Sequence, residues 1–290
     1  MGWHNCKPDR GLERLLAEGL AGLVYVRPFL NWQESVPPLL EASGLLTRLG
    51  SATTILIKPN LVKNMPPPAT TPVALVAEIV VYLQRARPEL KIIIAEGTGD
   101  KEYDTAFMYR ELGYRKMAGE LGVELLDLNL APLRRLSLPH CQRWPEMFLP
   151  EILFDSFLLS VPVLKAHSMA EVTLTMKNML GCAPPVHYQC GGRWKKSAFH
   201  EQIQEAVLDL NRYRTPDFTL LDATVGMGEA HVWGPPCDPP LRRLAAAFDP
   251  VAVDAYGADL LQRDWRRIGH ICDAHGELGQ AEPLAIIAVE

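Results

Sequence analysis

The chain has 290 residues, of which 48 % are hydrophobic and 22 % charged, with a net charge of −5 and a pI near 5.9. That balance suits a globular protein with a sizeable core and gives no electrostatic case for a nucleic-acid partner, because no Lys/Arg run long enough to track phosphates occurs. Apolar runs such as 92–95 and 284–289 are too short to cross a bilayer, so no membrane segment is expected.

In chain order, Leu12, Leu15, Leu16 and Leu20 fall at helical spacing and predict a helical extension over residues 1–21. Glu13, Arg14 and Glu18 interrupt its apolar part and spoil a signal peptide, so a cytoplasmic location is expected. A strand at 22–26 and a helix over 32–49, interrupted near Pro37 and Pro38, come next. The β-branched run 53–57 reads as a buried strand, the proline-rich segment 63–72 as a loop and 73–87 as a helix. Another strand (91–95), two helices (104–112 and 116–121) and a third strand (123–128) complete a β-α-β-α-β alternation. That pattern predicts a mainly parallel, Rossmann-like three-layer α/β fold with helices on both faces. Residues 22–290 are expected to form one α/β domain, and a division into two lobes would fall near 129–151, an irregular stretch with a β excursion at 133–138.

Residues 157–164 read as a buried strand that runs into Lys165, Ala166 and His167, and 169–180 as a helix. On that helix Val172, Met176, Met179 and Leu180 would share one face, and Glu171, Thr175, Asn178 and Cys182 another. Beyond the loop 183–197, the pattern gives a helix at 199–211 and a strand at 218–223. A glycine-bearing loop (224–240), a strand at 241–248, a helix opened by Asp249-Pro250 and a last strand at 283–289 follow.

Ligands of open α/β sheets sit outside the carboxyl ends of the strands. Three such ends carry chemistry here: Lys58-Pro59-Asn60, Glu96-Gly97-Thr98-Gly99-Asp100, and Lys165-Ala166-His167. Lysines pair with carboxylates or phosphates, asparagines orient a ligand, and the glycines let backbone N–H groups approach it. Lys58, Asn60, Gly97, Thr98, Gly99, Lys177 and Asn178 are the ligand-binding candidates. His167 and Lys165 are the acid/base candidates. Glu96, Asp100, Asp254 and Cys182 are candidate metal ligands. The six cysteines form no C-x-x-C pair and are expected to be reduced thiols. No G-x-G-x-x-G, Walker loop, G-x-S-x-G or H-E-x-x-H motif is present.

The ordered blocks IKPNL (57–61), Thr71-Pro72 with its helix, EGTG (96–99), VPVLKAH (161–167), TLTMKNMLGC (173–182) and DPVAVDA (249–255) resemble the prokaryotic family catalogued as domain of unknown function 362. The resemblance spans about 24–263. It implies an iron–sulfur association, since some members carry an added cysteine-rich ferredoxin-like domain. This chain has no such domain, and only Cys182 stands in a matching block. The layout of the first half is also similar to the N-terminal half of nickel-pincer lactate racemases, where a histidine follows the Gly-Thr turn in place of Gly99-Asp100.

Three functional readings follow. The first is an enzyme or enzyme-like protein that binds a small anion at the strand ends. The second is a metal or iron–sulfur redox protein using Cys182, with His167, His187 or Cys190. The third is a non-catalytic module that binds a small ligand. The sequence leaves the cofactor, the substrate and the oligomeric state open.

Overall fold

The computed structural model describes residues 4–5, 11–230 and 232–290. Strands run in chain order as β1 (His4–Asn5), β2 (Leu23–Pro28), β3 (Thr54–Pro59), β4 (Lys91–Glu96), β5 (Glu124–Asp127), β6 (Leu133–Ser137) and β7 (Glu146–Pro150). They continue as β8 (Phe157–Val161), β9 (Val163–His167), β10 (Glu171–Thr173), β11 (Phe218–Met227), β12 (Arg243–Ala247) and β13 (Ala285–Ala288). The main sheet has the order β13-β2-β12-β11-β8-β3-β4-β5, with β9 and β10 joined beside β11. Pairing is parallel throughout β11-β8-β3-β4-β5, while β12 runs antiparallel to both of its neighbours. The expected mainly parallel α/β sheet is therefore present.

Side-chain alternation along each strand divides the core into two faces. Ile55, Ile57, Ile92, Ile94, Leu159 and Val161 pack on one side. There they meet the helices Trp32–Ala42 and Val73–Ala86, the latter presenting Leu75, Val76, Ile79, Val80 and Leu83. Leu56, Ile93, Ala95 and Leu158 point the other way, toward Met147 and Leu149 of β7 and Ala206 and Leu210 of the helix Ile203–Tyr213. The stretch 129–151 forms the antiparallel pair β6–β7, to which β1 adds in parallel.

Several local expectations change. Pro37 and Pro38 lie inside a continuous helix, Trp32–Ala42. The break comes later at Gly44, whose φ of 73° suits a residue without Cβ. Pro162, which has no N–H to donate, divides the expected strand 157–164 into β8 and β9, so Lys165 and His167 belong to the strand itself. The expected helix 169–180 is not one helix. Glu171, in the left-handed region at φ 65°, starts a hairpin in which β10 pairs antiparallel with β9. Only Thr175–Asn178 is α-helical, followed by a 3-10 turn over Met179–Cys182. The faces expected for that segment are void, since β-branched Val172 and Thr173 pair as strand. Two prediction boundaries also move: β11 extends to Met227, and the helix expected at 199–211 becomes a 3-10 turn at Ser197–His200 with the helix Ile203–Tyr213.

Candidate functional site

The carboxyl ends of β3, β4 and β9 converge on one cleft with about 80 Å³ of free volume, the space of a few water molecules or one small metabolite. Asn60, Glu96, Gly97, Gly99, Lys165 and His167 line it from the strand ends. The short helix adds Lys177 and Asn178, and the loop after it adds Trp194 and Lys196. Leu61, Val62 and Leu180 supply apolar wall.

Beneath the cleft lies a buried ion pair. Lys58 Nζ donates to Glu96 Oε2 at 2.9 Å, to Asn178 Oδ1 at 3.2 Å and to the Pro59 carbonyl at 3.0 Å, so all three of its protons are placed. The Glu96 carboxylate also accepts from the backbone N–H groups of Leu61 and Gly97. Asn178 completes the floor. Its Oδ1 accepts from Asn60 Nδ2 at 2.9 Å, and its Nδ2 donates to Ser160 Oγ at 3.0 Å.

Two glycines allow this packing. A Cβ on Gly97 would run into the Asn129 amide and come within 2.5 Å of the Gly181 carbonyl; one on Gly181 would strike the Glu96 carboxylate and lie 2.5 Å from Lys58 Nζ. Gly181→Ala should therefore push the ion pair apart and destabilise the fold by about 1–3 kcal/mol, as overpacking does. Chemical denaturation of that variant alongside Gly119→Ala, where nothing lies within 4 Å, checks it; equal midpoints would refute it.

The other three cleft lysines differ in how they are held. Lys165 Nζ is buried and donates to Asn60 Oδ1 at 2.7 Å and the Ala69 carbonyl at 2.6 Å. Burial first, and Lys177 second, hold it well below the ordinary lysine value. Lys196 Nζ donates to the carbonyls of Gly97 (2.6 Å) and Gly181 (2.8 Å), and burial lowers it to about 7. Lys177, half-buried and lowered to about 8 by desolvation, makes no hydrogen bond or ion pair with any described residue.

His167 Nδ1 accepts from the N–H groups of Met169 and Ala170, both at 3.1 Å, which places the proton of the neutral ring on Nε2. His200, also on the cleft, is lowered by burial and by Lys177.

The candidate metal ligands are dispersed. Asp254 lies behind the site, where Oδ1 accepts from Thr175 N–H at 2.7 Å and Oδ2 from Met176 N–H at 2.9 Å. Its partners among the described residues are thus the N–H groups at the start of the short helix. Asp100 Oδ1 accepts from Glu102 N–H, while its Oδ2 is buried without a partner among the described residues. Cys182 is fully buried, and desolvation raises its thiol to about 11, so it stays protonated at neutral pH. Among the described residues no three of His, Cys, Asp and Glu converge. They supply no donor set for a metal ion or cluster.

Thr98 sits beside the cleft, its hydroxyl accepting from Asp100 N–H at 3.2 Å. Trp194 and Lys196 are cleft residues that the sequence did not single out. A bridge between Asp100 and Trp194, with Lys195 N–H donating to the Gly99 carbonyl at 2.8 Å, folds their loop back over β4. Nothing local in the sequence signals that contact.

A mostly parallel α/β sheet with a lysine-bearing cleft at its carboxyl edge defines the protein as a three-layer fold of the kind that takes ligands at strand ends. The chain belongs to the family described as Domain of unknown function (DUF362), which matches residues 55–259. Among solved structures it is similar to the lactate racemase apoprotein from Thermoanaerobacterium thermosaccharolyticum, with a TM-score of 0.51 at 9 % identity. The likeness covers 81 % of this chain and 56 % of the racemase, so the chain spans little more than half of that protein's length. At this identity the likeness is one of fold. No curated protein matches the chain, and among the described residues no helix is long and apolar enough to cross a membrane.

Proposed function

We propose that the cleft binds a small anionic molecule and that the protein acts on it as an enzyme. The observation that carries this reading is Lys177. Its ammonium stands in a cleft beside Lys165 and Lys196, while the one carboxylate among the described lining residues, Glu96, is already engaged by Lys58. An entering anion relieves the mutual repulsion of these amines and draws protons back onto them. His167 and His200 place two imidazoles on the same cleft. The racemase likeness agrees with an enzyme-like fold.

Lys177→Met should lower affinity for a small dicarboxylate such as malonate roughly 10- to 150-fold, the equivalent of about 1.5–3 kcal/mol for a charged hydrogen bond. Lys177→Arg should keep most of the binding. Isothermal titration calorimetry on folded variants measures both. Unchanged affinity in Lys177→Met would remove the anion reading.

A further inference from the structure

We propose that Lys177 is an amine nucleophile that captures a small 2-oxo acid as an imine in this cleft. The inference rests on the anion reading above and names the chemical class of the ligand.

The lysines around the cleft divide by what their nitrogens already do. Lys58 has its three protons on three protein acceptors. Lys165 and Lys196 each have two on amide or carbonyl oxygens. When either is charged, one N–H remains for a ligand carboxylate. Lys177 alone of the four has a nitrogen with no described partner, while its side chain lines the cleft without being sealed from solvent. A nucleophilic lysine needs that combination: an accessible nitrogen and a desolvating wall that favours the neutral amine. Leu180 and Trp194 contribute that wall, and Lys165 and Lys196 share the cleft. The lowering of Lys177 to about 8 agrees with this environment. A simple anion would use only the charges. A 2-oxo acid uses both features, its carboxylate against Lys165 and Lys196 and its electrophilic carbon against Lys177.

The step balances without a further reactant. The neutral amine's lone pair forms a bond to the carbonyl carbon, and the carbonyl π pair moves to oxygen, which takes one amine proton to give a carbinolamine. Loss of the hydroxyl with the second amine proton releases one water and leaves the C=N bond. No group is oxidised or reduced. His167, whose Nε2 carries the proton in the neutral ring, lies on the same cleft.

Borohydride trapping tests the proposal. The full chain is incubated with glyoxylate, pyruvate or oxaloacetate, reduced with sodium borohydride, and analysed by intact mass and peptide mapping. Malonate binding is measured in parallel by calorimetry. The expected result is one reduced adduct per chain, on Lys177, with at least one of the three acids. Lys177→Arg should still bind malonate and lose the adduct. Malonate binding without any adduct overturns the imine and leaves the anion site standing. Adducts spread over surface lysines, unchanged in Lys177→Arg, overturn it equally. Failure of malonate and all three oxo acids to bind defeats both the anion reading and the imine.

Discussion

Glu96→Ala is expected to cost about 3–5 kcal/mol of folding stability, the usual penalty for stranding one member of a buried ion pair. Lys58 and Glu96 are buried, 2.9 Å apart. Removing the carboxylate leaves an ammonium in a dry site and also deprives the N–H groups of Leu61 and Gly97 of their acceptor. The pair is not required for the fold as such, since a buried pair replaced by apolar side chains of similar volume is often neutral. Lys58→Met combined with Glu96→Leu should therefore recover much of the loss, whereas each single variant is damaged. Urea unfolding of the two singles and the double gives the coupling energy of the cycle. Additive losses would show that the two side chains do not depend on each other. Ligand affinity should stay low in the double variant even where stability returns, because Asn178, which floors the cleft, accepts a hydrogen bond from Lys58 on its Oδ1.

The residues at the strand ends were legible because strand periodicity and position follow from local sequence. Apolar β-branched runs end at Lys58, Glu96 and His167, and parallel topology brings those ends to one edge. The segment carrying Lys177 and Asn178 was read in the wrong conformation, although its residues were named. Met176, Met179 and Leu180 fit a helical face, but tertiary pairing of Glu171–Thr173 with β9 overrode that spacing. The state of each lysine was not legible at all. Lys58, Lys165 and Lys177 look alike as sequence, yet only the fold determines which one meets Glu96, which meets backbone carbonyls and which meets the cleft. Lys196 reaches the site through a long-range bridge between Asp100 and Trp194, a contact no local pattern encodes. Cys182 shows the converse. Its place in a family block made it a metal-ligand candidate, while its full burial is visible only in the fold.

Asp254→Asn should destabilise the protein by about 1–3 kcal/mol and weaken anion binding without touching the cleft. The carboxylate accepts one N–H on each oxygen, from Thr175 and Met176 at the start of the short helix that carries Lys177 and Asn178. An amide keeps one acceptor and turns an NH2 donor against the other N–H. The same helix is tied elsewhere by Thr175 Oγ1 to Thr219 Oγ1 at 2.8 Å and by Asn211 Nδ2 to the Met176 carbonyl at 2.9 Å. The variant should therefore fold with the helix loosened, and lose less affinity than Lys177→Met does. Its pH dependence separates this role from a general packing defect. Burial raises Asp254 from 3.8 to about 8, against the lowering effect of its two N–H donors. Between those values the native state holds a proton that the unfolded chain has released. This group's contribution therefore makes the protein less stable as pH rises from about 4 to about 8, by up to about 1.4 kcal/mol per pH unit, with no further change outside that window. Asparagine does not titrate, so the deficit of about 1–3 kcal/mol belongs to the acid end of that window; it should shrink with rising pH and reverse before the upper end. Denaturation curves of both proteins at one-unit intervals measure it. A difference constant from pH 4 to 8 would mean that the two N–H donors keep the carboxylate charged throughout, and would assign Asp254 a fixed helix-capping charge in place of a titrating one.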